Sequence, residues 1–472
     1  MTESAQTSAV RDDPADASLL TEPRARRNYL VWFVMAYIAL FAAYTAAGSI
    51  LVPDQVQLIE AHRHFTGTDA GVDLKALTDL KHGVDAGQHA PTVDESRLLG
   101  LLADYESARA RSLALVLSLG TFIGLFSQPF IGVISDRHRS KWGRRSPWIV
   151  LGAIVGAAAL VGLSLVSSIG LVALGWVLVL WFLNWMQAPT TTTMADRIPS
   201  EKLGVVSGLA GFGQMVGTMV GAIVAGILFG RIGLTTYDVF AATVAVGAVL
   251  FVVLAPDRPS TDLEVAPFNG REFLRSFTIA LRDHDFRWVW FARMLLIFGY
   301  GTTTTFNIYL LQSYIRPGVS LERANALALL LQASALPLML VGLLLSGRWS
   351  DKLGRRKPFV IWSSVGLAVA IAIPLLWPTL PAMFAMNIIG GACMGPYMAI
   401  DQALFIDVLP DKDASGRDLG VANVATNLGQ TAAPLVGGQL AALLAGYQVV
   451  FVVGIVAVIA GGLAILPVRR VR

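Results

Sequence analysis

Residues 132–150 read GVISDRHRSKWGRRSPWIV, in which four arginines, a lysine, an aspartate and a histidine sit between two long apolar runs. Of the 472 residues, 55% are hydrophobic and 14% charged, with mean hydropathy +0.62. Soluble domains carry about a quarter charged residues, so this is the composition of a chain whose solvent is lipid. Twelve apolar runs, the first at 29–52 and the last at 447–467, are long enough, about 17–25 residues, to cross a roughly 30 Å hydrocarbon core as helices. The reading is an all-α membrane protein with twelve transmembrane helices.

The charged stretch recurs. Residues 347–360 read GRWSDKLGRRKPFV, so both copies share G-x-x-S-D-[RK] followed by G-R-R-x-P, with Asp136 matching Asp351 and Arg144–Arg145 matching Arg355–Arg356. A second pair lies downstream of each. ADRIPSEKLGVVSGLAGFGQ from Ala195 and IDVLPDKDASGRDLGVANVATNLGQ from Ile406 align Asp196 with Asp407, Pro199 with Pro410 and Gln214 with Gln430. Two ordered matches at nearly one spacing define a six-helix unit used twice, hence two pseudo-symmetric bundles. The expected organisation is a disordered tail 1–28, a first bundle 29–255 with a long outer segment 53–110, a polar linker 256–287, a second bundle 288–467 and a short tail 468–472. A linker at that place lets the bundles rock against each other.

Most of the 36 Lys and Arg residues fall in the tails and in the loops on the same side of the membrane. The positive-inside rule makes that side cytoplasmic, with both termini there, in a plasma (inner) membrane. The sequence pI near 9.2 then reflects topology, and nucleic acid is not needed to explain it. Cys393 is the only cysteine, so no intrachain disulfide forms. The four outer-segment histidines, His62, His64, His82 and His89, lack metal-ligand clustering and read as solvated. No metal, cofactor or enzyme motif is expected, and the protein is expected to be a monomer.

Within the charged loop, Gly143 suits a tight turn and Pro147 the first turn of a helix. Asp136 near a helix C-terminus is misplaced against the dipole unless a cation meets it. Asp136, Arg137, Arg144, Arg145 and Asp196, with Asp351, Arg355, Arg356 and Asp407, are therefore expected to form ion-pair clusters. These would close a cytoplasmic gate, the alternative being plain topology.

Twelve spans in two similar halves, with this motif after the second and eighth, resemble the major facilitator superfamily. The longer first copy, and NWMQAPTTTTMAD at 184–196, resemble the sucrose/proton symporters and the related glycoside-pentoside-hexuronide cation symporters. Asn184, Gln187, Pro189, Ala195 and Asp196 agree with the family pattern, whereas Thr191 stands where it has an arginine. The resemblance implies a major facilitator fold, with spans one, four, seven and ten around a substrate path and H⁺ as coupling ion.

Polar groups inside spans are costly and usually face the bundle interior. Candidate path residues are Tyr37 and Tyr44; Trp181, Asn184, Trp185 and Gln187; Tyr300, Thr304 and Asn307; Tyr397; and Asn423 and Asn427. Amides beside aromatic rings suit a sugar, and they suit helix packing as well. Asp401, inside span ten, is the first coupling candidate, with an ion pair to an arginine as its alternative. Asp54, at the outer end of span one, is the second, with solvation at the water boundary as its alternative. Arg293 is expected to snorkel to the inner interface. The leading function is proton-coupled uptake of a small molecule, a disaccharide or glycoside; proton-driven efflux of a drug or metabolite is the alternative, and a non-transporting sensor or scaffold a third.

Overall fold

The computed structural model describes residues 23–198, 203–261, 281–353, 356–408, 415–444 and 446–470. Among these residues the only regular structure is helix. α1 (Pro23–Thr45) passes through a π-helical segment, Ala46–Leu51, into α2 (Val52–His64); α3 (Leu74–Asp85) and α4 (Val93–Arg137) follow. α5 (Ser146–Leu165), α6 (Ile169–Arg197), α7 (Leu203–Ile232) and α8 (Thr236–Leu254) complete the first half. The second half runs α9 (His284–Thr304), a short turn Asn307–Tyr309, a second π segment Leu310–Tyr314, then α10 (Leu321–Leu353), α11 (Lys357–Leu376), α12 (Leu380–Asp407), α13 (Ser415–Leu443) and α14 (Gln448–Leu463). The short helix expected in the linker near residue 275 lies outside the described residues.

Counting α1–α2 as one helix and setting α3 aside, the described residues hold six long helices in each half, and nine helical stretches are long and apolar enough to cross a membrane. Their packing repeats: α1 lies on α7 as α9 lies on α13, and α4 on α6 as α10 on α12. The halves meet along α4 with α13 and α7 with α10, again a repeat-related pair. Small residues allow the helices to approach. A β-carbon on Gly217 would lie 2.6 Å from the Ile38 carbonyl oxygen, and one on Gly221 2.3 Å from that of Ala42. On the other side, Gly391 and Gly395 would strike the carbonyls of Ala335 and Met339 at 2.3 and 2.1 Å. In lipid, where no hydrophobic force drives helices together, such i, i+4 small-residue faces supply the packing contact.

Both first helices of the repeat, span one and span seven, carry a π segment in the half nearer the outer segment. An extra residue in the turn leaves local hydrogen bonds unmade and permits bending, and π segments gather at functional sites.

The outer segment is folded. α4 is 45 residues long, roughly 65–70 Å, about twice the hydrocarbon thickness, so its first half stands outside the membrane. Its start is set by a capping box, the Thr92 hydroxyl accepting from Glu95 N–H and the Glu95 carboxylate accepting from Thr92 N–H. Phe65, Leu77, Leu102 and Tyr105 close a small apolar core that ties α3 to α2 and α4. His82 corrects the solvated reading of the histidines. It is half-buried, and Nε2 lies 3.2 Å from the Ser313 carbonyl oxygen of the other half.

Candidate functional site

The end of the first bundle where α4 gives way to α5 is braced by the motif that opened the sequence. Arg144 donates to Asp196 at 2.5 Å; Arg145 donates to Asp196 at 3.1 Å and to the Ser135 hydroxyl at 2.7 Å and pairs with Asp136 at 2.5 Å. Arg145 is buried, so one guanidinium ties the ends of α4 and α6 to the start of α5. Gly143 has φ +85°, and the Asp257 side chain lies 2.4 Å from where its β-carbon would be. Only glycine fits both conditions. Asp257 also pairs with Arg197 at 3.0 Å, which fastens the start of the linker to the same loop.

The repeat-equivalent pair is present in the second half, Arg356 to Asp407 at 2.8 Å. Arg137 is half-buried and has its own partner. The side chain of Asp351, and Arg355 altogether, lie outside the described residues. The ion pairs of Arg144, Arg145 and Arg197 join residues of the first bundle and the start of the linker, and Arg356–Asp407 joins residues of the second bundle.

Along the first half of the path, Tyr37 and Thr191 lie 2.5 Å apart between α1 and α6. The Thr191 hydroxyl donates to the Gln187 carbonyl, so Tyr37 must be the donor. Thr191, which stands where the resembling family has arginine, is exposed. Tyr44 is partly buried and its hydroxyl has no partner. Asn184 turns to α4, accepting from Gln128 at 2.8 Å and donating to the Leu180 carbonyl at 2.7 Å, so its amide serves packing. Trp181 and Trp185 pack on Phe130 of α4, with centroids 5.6 and 6.0 Å away, and Trp185 also on Trp148 of α5. The face that spacing assigned to Trp181, Asn184 and Trp185 is therefore largely occupied by neighbouring helices.

In the second half the structure brings Arg293 to Tyr397 and Asp401, the pair that spacing puts on one helix face. Arg293 of α9 donates through Nε to Asp401 of α12 at 2.6 Å, with a second contact from Nη2, and Tyr397 donates to the other carboxylate oxygen at 3.1 Å. The guanidinium lies 4.1 Å above the Phe405 ring. Arg293 is 3% and Asp401 6% exposed. The expected snorkelling of Arg293 is thus wrong: a carboxylate on the adjacent helix offers a better partner than the distant interface. Tyr300 packs beside Gly390 of α12, and the Thr304 hydroxyl donates to the Tyr300 carbonyl. Asn307, at the break after α9, is buried with its carbonyl oxygen unpartnered. Asn427 is half-buried, and the Asn423 side chain lies outside the described residues.

A set of hydrogen bonds joins the two bundles at the end carrying the outer segment. Arg109 of α4 donates to Gln312 at 3.0 Å and Ser313 at 2.5 Å and lies 4.4 Å above the Tyr309 ring. The Tyr309 hydroxyl donates to the Pro53 carbonyl at 2.9 Å, and Asn325 of α10 donates to Asp54 at 2.7 Å. Asp54 is fully buried, which corrects its solvated reading: the second bundle covers it. Arg109 is a seal residue that sequence reasoning missed. Its run, ESARARSL, reads as an amphipathic helix and gives no sign that the arginine faces inward.

Two six-helix bundles related by an internal repeat and hydrogen-bonded to each other at one end define the fold of a multi-pass membrane transporter. The model of the Major Facilitator Superfamily matches residues 96–338 and 318–472, and the chain belongs to that family, whose members are transporters and not enzymes. Among curated proteins, an uncharacterized symporter of Synechocystis sp. is 37% identical over 85 residues, 17% of this chain and 15% of that protein. A sucrose transport protein of Oryza sativa subsp. japonica is 32% identical over 123 residues, 21% of this chain and 23% of that protein. The aligned parts thus span less than a quarter of those relatives. Among solved structures, the nucleoside transporter NupG superposes with TM-score 0.64 at 12% identity, over 92% of this chain and 99% of that one. A D-xylose-proton symporter does so with TM-score 0.61 at 13% identity, over 94% and 98%. At such identities the likeness is one of fold.

Proposed function

We propose that this transporter carries out proton-coupled uptake of a disaccharide or glycoside across the plasma (inner) membrane, with both termini cytoplasmic. The observation that carries the reading is the buried Arg293–Asp401–Tyr397 cluster between spans seven and ten. A carboxylate in that setting has two competitors, a proton and a guanidinium. Protonation of Asp401 removes the charge that holds Arg293, and the freed N–H donors become available to substrate hydroxyls. Return of Arg293 to Asp401 expels the proton, so proton and substrate occupy the site in a linked order. Tyr37, Tyr300 and Asn427 supply further hydroxyl and amide groups on spans one, seven and eleven, suited to a polyhydroxylated ligand with an apolar C–H face. The names of the relatives, sucrose transport proteins and a D-xylose-proton symporter, support the same class.

The repeat-related ion pairs at the inner end keep each bundle rigid as it rocks, with the outer segment forming the opposite seal. The test is uptake into proteoliposomes with an imposed inward proton gradient, screening labelled disaccharides and glycosides. Accumulation that collapses when a protonophore is added supports the reading. Accumulation that requires an outward-directed gradient of protons moves the assignment to efflux.

A further inference from the structure

We infer that Asp54 and Asn325 form a second proton-binding site, assembled only when the outer seal is closed. Two buried oxygen atoms lack hydrogen-bond partners. Asn325 Nδ2 donates to Asp54 Oδ2 at 2.7 Å across the bundle interface. Asp54 Oδ1 and Asn325 Oδ1 are both buried and both without a partner. Each is an acceptor, so neither can satisfy the other. One proton on Asp54 Oδ1 changes this: an acid facing an amide makes two hydrogen bonds side by side, O–H to the amide oxygen and N–H to the acid oxygen. A single added proton supplies the missing donor and also removes a buried negative charge.

The surroundings leave no other source of compensation. Asp54 is 0% and Asn325 2% exposed. The titratable groups that face Asp54 are Tyr237 of α8 and Tyr309 after α9. Both hydroxyls are engaged elsewhere, Tyr237 with Gln55 at 3.1 Å and Tyr309 with the Pro53 carbonyl. On α10, Arg323 is exposed, and on α7 Arg231 is exposed; no Lys, Arg or His pairs with Asp54 among the described residues. Burying an unpaired carboxylate costs several kcal/mol or more even after relaxation, far more than burying the acid. The proton comes from the outer medium as the seal closes and returns to it when the seal opens, so it gates and does not cross. The π segment just before α2 gives span one a place to bend as Asp54 leaves Asn325.

This inference rests on alternating access and is independent of the substrate and of Asp401. One proton taken up on closing makes the closed-to-open ratio fall about tenfold per pH unit wherever open-state Asp54 is ionised and the closed site is protonated. The experiment uses the full chain with Cys393→Ser and spin labels on His62→Cys and Arg323→Cys, both exposed positions on opposite sides of the seal. Distances are measured without substrate from pH 5 to 9. The expected result is a short-distance population that gives way to a longer one as pH rises. Asp54→Asn, whose amide brings its own donor, holds the short distance at every pH, whereas Asn325→Leu keeps the pH slope, because Asp54 must still take a proton to be buried, and moves its midpoint to lower pH, because the acid has lost its amide partner. Unchanged pH dependence in both variants, or a wild-type ratio that ignores pH, overturns the proton site. A single distance in wild type, both variants and every pH overturns alternating access as well, which separates the two failures.

Discussion

Removing Asp401 while leaving Arg293 strands a guanidinium in the membrane interior. Both side chains are less than a tenth exposed, so solvent does not screen the pair. Breaking such a pair from one side costs about 3–5 kcal/mol, and the remaining contact with Phe405 recovers about 1 kcal/mol of it. With about 2.1 cal/mol/K per residue and a cooperative unit of roughly 180 residues, the size of the second bundle, Asp401→Asn lowers the unfolding midpoint by roughly 5–11 °C. Arg293→Met costs less, about 1–3 kcal/mol, because the remaining carboxylate can take up a proton and keep Tyr397. The double variant Arg293→Met/Asp401→Asn leaves no buried charge and falls within about 2 kcal/mol of wild type. Thermal unfolding in detergent, followed by emission of the 11 tryptophans, gives the whole cycle. A double variant that loses as much as the two single ones combined would refute the pairing as an energetic unit.

Three further outcomes follow from the packing. Gly221→Leu places a side chain against the Ala42 backbone, forces α7 from α1, and lowers the folded yield at least several-fold by fluorescence-detected size exclusion; Gly230→Leu, where a β-carbon meets nothing, leaves the yield unchanged. Arg109→Gln removes the donors to Gln312 and Ser313 and raises thiol-reagent labelling of a cysteine placed at Ser313 several-fold, whereas Arg97→Gln, an exposed partner of Asp69, does not. Burial holds the His82 imidazole below its ordinary range, with Arg316 and Lys81 pushing the same way and Asp79 opposing. The unfolded cap therefore gains its proton near pH 6.5 while the folded cap gains it lower, so stability is complete above about pH 6.5 and falls below it. Amide protection across residues 74–85, corrected for intrinsic exchange, drops from pH 7.5 to 5, and His82→Gln flattens the drop.

The fold was legible because lipid imposes few solutions. Apolar runs of membrane length must be helices, and GRR loops repeated at Asp136 and Asp351 mark equivalent places in two halves. The site was legible in parts. Asp401 and Tyr397 share a helix face at i, i+4, which spacing shows, but their partner Arg293 lies on another helix more than a hundred residues away, which spacing cannot show. Trp181 and Trp185 illustrate the opposite failure: a shared face says which residues point together, not whether α4 and α5 already fill the space they point into. Arg109 was missed and the burial of Asp54 not foreseen for one reason. Both sit near the water boundary in sequence, and only the approach of the second bundle buries them.

The central claim is that one buried carboxylate links proton movement to substrate movement. The measurement that tests it most directly follows sugar and protons together in the same proteoliposomes, with a trapped pH dye and labelled substrate, for wild type and Asp401→Asn. The account predicts that in wild type sugar entry acidifies the lumen, and that Asp401→Asn still exchanges sugar across equal concentrations but moves no protons with it. Sugar-dependent acidification that persists in Asp401→Asn would contradict the account.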